Sequence, residues 1–458
     1  MQYVGRVIST ACAFILVSAC ACGGVATFED GVWQSVGSGH ILQIHNGESK
    51  RYEVTAISCI DPTREFVVSS PFVGIVGIPL YQSPFVDERG QFLIRRSVLG
   101  PRDYYERLPE VPDSCLGGGR VTDPVYNADV FWHILAENYA FFDLYGVNWD
   151  TQRQTVLDVG GFNDEQLFTH LAATLAPLLD AHVFFIGDDN FFAPAERWQF
   201  GSTEKENELD TIILENYLVE DAFTQVVYGT EENAVNNELF FGTLADGTAY
   251  VTIKSMRLFD ARNQEGDYDI ELTAIAETFR QLELYFADAN SIIIDLRYNG
   301  GGSPLYALKI ADWLSDVDGP GINERIYSTN SDHESVINTY AYPLTGNLTR
   351  HFDRVYILTE GGTASASEWL ALQLAPATHV VRVGGVSQGA FSTVLMRILP
   401  NGWRIGLSNH DVRSASGESF EGVGLSPDIL APLTELSFTE GQDPALDAIL
   451  ANNAVLDL

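Results

Sequence analysis

Four short stretches of this chain carry residue types that could do chemistry. Asp295-Leu296-Arg297-Tyr298-Asn299-Gly300-Gly301-Gly302 runs from an apolar segment straight into three glycines. Glycine lets a backbone turn sharply and lets bare N–H groups face a ligand. Gly361-Gly362-Thr363-Ala364-Ser365-Ala366-Ser367-Glu368 opens a helical pattern. A serine there stands where unsatisfied N–H groups and the positive end of the helix dipole stabilise a developing oxyanion. The same residues serve equally as a helix cap, with Thr363, Ser365 or Ser367 accepting and Glu368 in the first turn. Glu421-Gly422-Val423-Gly424-Leu425-Ser426-Pro427-Asp428 reads as a turn that supplies one carboxylate. Leu178-Leu179-Asp180-Ala181-His182 ends a helical pattern on a histidine. Read alone, that imidazole is a half-buried structural group. His133, His170 and His379 have no comparable setting. No H-E-x-x-H or C-x-x-C pattern suggests a metal site, and no metal or cofactor is expected.

The elements that must hold these residues follow from periodicity. Over 247–435 strand and helix patterns alternate: strands at 249–253, 291–296, 355–358, 380–383, 394–399 and 405–407, helices at 272–286, 304–314 and 364–374. This is α/β in style. Residues 127–186 read as a small helical unit. Val130, Phe131, Ile134, Leu135 and Tyr139 recur at helical spacing, as do Leu167, Leu171, Leu175 and Leu178, with Asn163 as N-cap. Residues 187–246, rich in acid around Glu204–Asp210, read as a loop-rich connection with one or two strands. Residues 27–118 read as all-β, a small sandwich or barrel with turns at Asn46-Gly47, Asp61-Pro62 and Arg89-Gly90. A linker follows near 112–123, and 436–458 form a helical tail.

In this order the motifs resemble the S41 family of serine peptidases, over residues 247–435. Residues 250–256 look like the family's strand before its helix. After them come D-L-R-x-N-G-G-G, T-A-S-A-S-E and E-G-x-G-x-x-P-D. The resemblance implies a ClpP/crotonase-like α/β core with Ser365 as nucleophile. It also implies an oxyanion hole from the N–H groups of Ala366 and of Gly300 or Gly301. The family has two branches that differ in their base. In the C-terminal processing branch a lysine follows the nucleophile helix, in a G-E-x-T-x-G-K stretch. Here that stretch is Gly384-Gly385-Val386-Ser387-Gln388-Gly389-Ala390, and no lysine follows Lys309. The tricorn-like, retinoid-binding-protein-like branch places a histidine ahead of the core, in a pattern like L-x-D-x-H, and His182 matches it. So do Tyr139-Ala140-Phe141-Phe142 and Gly146-Val147-Asn148-Trp149 upstream. The branch implies His182 as general base and Glu421 as the carboxylate that orients or charges it. One departure stands out. The tricorn enzyme has a hydroxyl residue beside its histidine, where this chain has Ala181. Ser367 or a water would have to replace it. No PDZ domain is expected in 187–246. The resemblance implies a peptidase acting on peptides or unfolded proteins. Relatives of this fold that bind apolar ligands leave a non-catalytic binding or scaffold protein as the competing expectation.

Composition bounds the partners. The 458 residues hold 26 Lys plus Arg against 62 Asp plus Glu, a net charge of −36, and four lysines in all. Nucleic-acid binding, which needs basic patches, is excluded as an expectation. At the N-terminus, Arg6 and an apolar run at 7–17, too short to span a bilayer, lead into Val17-Ser18-Ala19-Cys20. This resembles a bacterial lipobox, with residues 1–19 as signal peptide and Cys20 as lipid carrier. Cleavage after Ala21 is the alternative, and Cys22 has no assignment. Either way the chain is expected to be exported, and with a lipid anchor it would sit on a membrane of the bacterial envelope. Cys59 and Cys115 are the natural disulfide pair in an oxidising compartment.

Overall fold

The structure, a computed structural model, describes residues 30–46, 48–61, 85–86, 92–95, 102–115, 119–194, 202–219, 224–225, 239–256, 268–327, 336–346 and 352–456. The expected signal peptide, Cys20 and Cys22 lie outside the described residues. So do the Val- and Ile-rich run at 68–80 and the turn at Arg89-Gly90.

The chain is a mixed α/β fold with several sheets. Its first strands are β1 (Gly31–Ser35), β2 (His40–His45), β3 (Glu48–Val54), β4 (Cys59–Ile60), β5 (Phe85–Val86), β6 (Phe92–Arg95) and β7 (Arg102–Leu108). They pair antiparallel in the order β4-β3-β2-β1-β7-β6-β5. Successive residues of a strand face opposite sides. In β2, Leu42 and Ile44 join Trp33 and Tyr105 on one face, while Ile41 joins Tyr52, Val111 and Cys115 on the other. A disulfide links Cys59 to Cys115 across 56 residues.

Three helices follow: α1 (Pro124–Asn138), α2 (Trp149–Val156) and α3 (Asp164–Leu175). Asp123 accepts the Tyr126 N–H at the start of α1, and Pro124 takes the first helical position, where no N–H is needed. Asn163 and Gln166 form a reciprocal capping box on α3. The apolar stripes of α1 and α3 close on each other and on Phe185, Trp403 and Leu407. Phe185 lies in β8 (Phe184–Ile186), which pairs with the short β9 (Phe191–Phe192).

The acidic connection departs from expectation. It holds a 14-residue helix, α4 (Thr203–Asn216), capped by Ser202 and burying Leu209, Ile212 and Ile213. Its acids are the solvated face of an amphipathic helix. Two of them also pair with Lys254, which lies 2.6 Å from Asp210 and 3.3 Å from Glu206. Three apolar positions among so many carboxylates make a thin stripe, and Lys254 comes from a distant segment.

The remaining elements are β10 (Thr224–Gln225), β11 (Leu239–Thr243), β12 (Ala249–Ile253), α5 (Tyr268–Tyr285), β13 (Ser291–Asp295), α6 (Pro304–Leu314), β14 (Asn323–Tyr327) and β15 (Val336–Ala341), then β16 (Arg354–Thr359), α7 (Ala366–Gln373), β17 (Val380–Gly384), β18 (Val394–Ile398), β19 (Arg404–Ser408), β20 (His410–Arg413), β21 (Ile429–Leu430), α8 (Glu435–Glu440) and α9 (Pro444–Leu456). The central sheet runs β10-β11-β12-β13-β16-β17-β21, parallel from β12 onward. Its strands are apolar on both faces because both are covered. Ile292 and Ile294 pack toward α5, α6 and α7, whereas Ile293 packs toward α4, α8 and α9. Two smaller sheets flank it, β15-β14-β20 and β18-β19-β8-β9. Asp295 of β13 sits opposite Leu358 of β16. The parallel register therefore releases the two glycine-rich turns side by side, at the strand ends where open α/β sheets bind ligands.

Candidate active site

The turn after β16 delivers Ser365 in an unusual backbone. Its φ is 57° and ψ −123°, at the N-cap of α7. Among the described residues, Asn46 is the one other non-glycine with positive φ. Such conformations cost roughly 1–3 kcal/mol and persist where surrounding structure imposes them. The glycine turn after β13 does the imposing. A methyl on Gly301 would lie 2.6 Å from Ser365 Cβ and 2.9 Å from the Ala366 nitrogen, so the two turns touch backbone to backbone. Asn299 pins this contact. Its Nδ2 donates to the Ile253 carbonyl at 2.8 Å, and its own carbonyl accepts the Ala364 N–H at 3.1 Å. Thr363 adds a hydroxyl bond to the Leu296 carbonyl at 2.8 Å.

This arrangement separates the two glycines that the resemblance offered. The Gly301 N–H is donated to Asn299 Oδ1 at 2.9 Å, because that side chain folds back over the turn. It is not free for an oxyanion. The N–H groups of Gly300 and Ala366 have no hydrogen-bond partner among the described residues. Ala366 is the first residue of α7, where an N–H lacks an intrahelical acceptor.

Glu368, buried in the first turn of α7, accepts four hydrogen bonds. They come from the N–H groups of Ser365 (3.0 Å), Gly389 (2.7 Å) and Ala390 (2.8 Å), and from the Ser387 hydroxyl (2.6 Å). Burial pushes its carboxyl up to about 7 against those donors. Glu368 thus ties the Ser365 turn to the segment 387–390.

That segment leads to the second group of polar residues. Phe391 and Ser392 donate their N–H groups to Glu421 Oε2 at 2.9 and 2.8 Å. Glu421, Asp180 and His182 each present one oxygen or ring nitrogen, and the three atoms lie within 4.8 Å of one another. All three residues are buried. Asp180 Oδ1 accepts the His182 backbone N–H at 2.8 Å, which fixes the turn after α3, and also the Ser408 hydroxyl at 3.1 Å. Asp180 Oδ2 accepts the Tyr139 hydroxyl at 2.9 Å. His182 Nδ1 and Glu421 Oε1 are buried without a hydrogen-bond partner. Burial lowers the His182 pKa below 6.5, with the Asp180 charge pulling the other way. Burial and then Asp180 raise Glu421 well above the usual carboxylate range.

Of the expected residues, the structure brings Ser365, Ala366 and Gly301 into contact, and gathers His182 with Glu421. No hydrogen bond joins Ser365 to His182. The bonds described run from Ser365 through Glu368 to Ala390, and from the adjacent Phe391 to Glu421. Ser367, a candidate link, has a buried hydroxyl with no partner. The hydroxyls in the cluster come instead from Tyr139 and Ser408 and end on Asp180. No motif assigned a role to Asp180, although it stands in the L-x-D-x-H pattern itself.

Residues 247–431 match the family model described as peptidase family S41. A candidate peptidase from Parabacteroides merdae ATCC 43184 has a similar solved structure, with 22% identity, TM-score 0.56, and coverage of 72% of this chain and 96% of that one. Mature CPAF is similar at 12% identity and TM-score 0.48, over 70% of this chain and 94% of that one. The tricorn protease is similar at 12% identity and TM-score 0.36, over 92% of this chain and 44% of that one. Over residues 247–431, this chain is similar to peptidase family S41.

Proposed function

We propose that the chain is an exported serine endopeptidase of the tricorn-like, Ser-His-Glu branch. It would cleave peptide bonds in peptides or unfolded proteins on a ClpP/crotonase-like core. The observation that carries this reading is the placement of Ser365. It holds a strained backbone at a helix N-terminus, pressed against a glycine turn, inside a domain that matches a peptidase family. Ser365 Oγ attacks the scissile carbonyl while His182 takes its proton. The N–H groups of Gly300 and Ala366 receive the oxyanion. The imidazolium then protonates the leaving amine, and water hydrolyses the acyl-enzyme by the same route in reverse. Glu421 belongs to the polar group behind the imidazole. The N-terminal segment, with Cys20 lipidated, would hold the protein on a bacterial envelope membrane. Peptide and membrane are then its partners, and nucleic acid is not.

A non-catalytic ligand-binding or scaffold protein is the second reading. It is favoured by the missing hydrogen bond between Ser365 and His182, although such bonds often tighten only once substrate is bound. A fluorophosphonate probe separates the two. Wild-type protein should label at Ser365 and cleave an unfolded casein substrate, and Ser365→Ala and His182→Ala should do neither while keeping their fold. Persistent absence of labelling and cleavage in folded wild-type protein favours the binder.

A further inference from the structure

Asp180 and Glu421 do not have equal claims on a negative charge. The question matters if His182 is the general base, and to that extent the inference rests on the function proposed above. Both carboxyls are buried, at 1% and 2% exposure, with oxygens within 4.8 Å of each other and of a His182 ring nitrogen. Neither forms an ion pair with a lysine or arginine among the described residues. Two carboxylates sharing such a site do not both ionise near neutral pH.

The hydrogen bonds decide which one holds the proton. Both oxygens of Asp180 are met by donors: the His182 N–H and the Ser408 hydroxyl on Oδ1, the Tyr139 hydroxyl on Oδ2. An ionised carboxylate is acceptor-only, and three converging donors favour that form. Glu421 has Oε2 filled by two backbone N–H groups, while Oε1 is buried and unpartnered. Oε1 is the one oxygen of the pair that no donor meets, so a proton there displaces no hydrogen bond. Other groups around the cluster press the same way. The fields of Asp180 and of Glu368, from the first turn of α7, both disfavour charge on Glu421. Tyr145, from the loop after α1, is itself raised by burial and by both carboxyls, and so stays protonated.

We propose that Asp180 is the ionised positioning carboxylate of His182, and that Glu421 stands beside it as a neutral, proton-bearing carboxyl. Asp180 acts on His182 twice. It fixes the backbone turn through the N–H bond, and its charge stabilises the imidazolium that forms when Ser365 Oγ bonds to the carbonyl carbon and releases its proton. That proton leaves with the amine as the C–N bond breaks. Glu421 keeps its own proton throughout, so the carboxyl pair neither gains nor loses one.

The test is a titration of the His182 ring by carbon-labelled histidine NMR on the full chain. Wild type, Asp180→Asn and Glu421→Gln are compared, and His182→Ala assigns the signal. Asp180→Asn removes the charge, and the His182 pKa should fall by about one unit. Glu421→Gln exchanges a neutral group for a neutral group. Its kcat/KM should drop, yet the His182 pKa and the acid limb of the kcat/KM profile should stay in place. A lowered His182 pKa in Glu421→Gln overturns the proposal, whatever Asp180→Asn shows. If Asp180→Asn fails to fold, the Glu421→Gln arm decides alone. The ring titration needs no turnover. An inactive wild type with an unmoved pKa in Glu421→Gln therefore refutes the peptidase reading while leaving this assignment standing.

Discussion

Replacing Gly301 by alanine should disable Ser365 without unfolding the chain. The added methyl would lie 2.6 Å from Ser365 Cβ, 2.7 Å from the Ala364 carbonyl oxygen and 2.9 Å from the Ala366 nitrogen, and Gly301 has φ +96°. Carbon–carbon contacts settle near 3.5–4.0 Å, so the turn must open by about 1 Å. Overpacking of this kind costs about 1–3 kcal/mol. A left-handed backbone with a side chain adds about 1–2 kcal/mol. The sum, roughly 2–5 kcal/mol, is below the stability of a typical domain. The protein relieves it most cheaply by moving the Ser365 turn, and a nucleophile misplaced by about 1 Å loses about 100-fold in rate. The assay pairs fluorophosphonate labelling of Ser365 with a thermal melt. Gly300→Ala is the stability control, because a methyl there meets no atom within 4 Å and its φ is not left-handed. It should melt with the wild type. If folded Gly301→Ala labels at the wild-type rate, the contact between the two turns does not set the position of Ser365, and the steric reasoning fails.

Two further outcomes follow from buried charge. Arg397 in β18 bonds Glu53 of β3 through Nε at 2.8 Å and the Val54 carbonyl through Nη2 at 2.6 Å, with both charged side chains about 1% exposed. Arg397→Ala strands Glu53 with Arg51 and His40 alone, and should cost about 3 kcal/mol, the low end for a broken buried pair. Thermal unfolding and faster proteolysis of the N-terminal sheet would report it, and an unchanged melt would show that the pair does not hold that sheet to β18. Burial alone would raise the Glu53 pKa, but His40, Arg397 and Arg51 together hold it well below 4.5. Its contribution is therefore present above about pH 4.5 and lost in acid. Glu360 behaves oppositely. Burial lifts it to about 7, although its carboxyl accepts the Leu433 N–H at 2.6 Å. A carboxyl raised in the folded state contributes most below its unfolded pKa, and that contribution is lost as pH rises through about 7. Glu360→Gln does not titrate, so its melting temperature relative to wild type should climb between pH 5 and pH 8. A constant offset over that range would contradict the shift.

What could be read from the sequence was local, and what could not was tertiary. The strand leading into Gly300-Gly301-Gly302, and the helix opening at Ala366, are visible because an apolar run, a glycine cluster and a helical period each occupy a few adjacent residues. The strands β14 and β20 escaped because their pattern is broken by charge. Glu324 sits inside β14, buried, and is met by Tyr342, just after β15, and by His410 of β20. α4 escaped for a related reason, since part of its acidic face is balanced by Lys254 from beyond β12. The resemblance offered the N–H of Gly300 or of Gly301 for an oxyanion, and spacing does not say which of the two the Asn299 side chain takes up.

The carboxylate behind His182 is the sharpest instance of the same limit. Ala181 removes the hydroxyl that the motif leads one to expect beside the imidazole, and the sequence alone then leaves Glu421 as the group to carry the charge. The fold supplies the hydroxyls from elsewhere, Tyr139 from 41 residues before Asp180 and Ser408 from 228 residues after it. Both donate to Asp180, so this one carboxyl gathers donors from the end of α1, from β19 and from its own turn. Charge in a buried site goes where the donors converge. Here they converge two residues before the histidine, so the same short turn that places the imidazole also supplies its counter-charge.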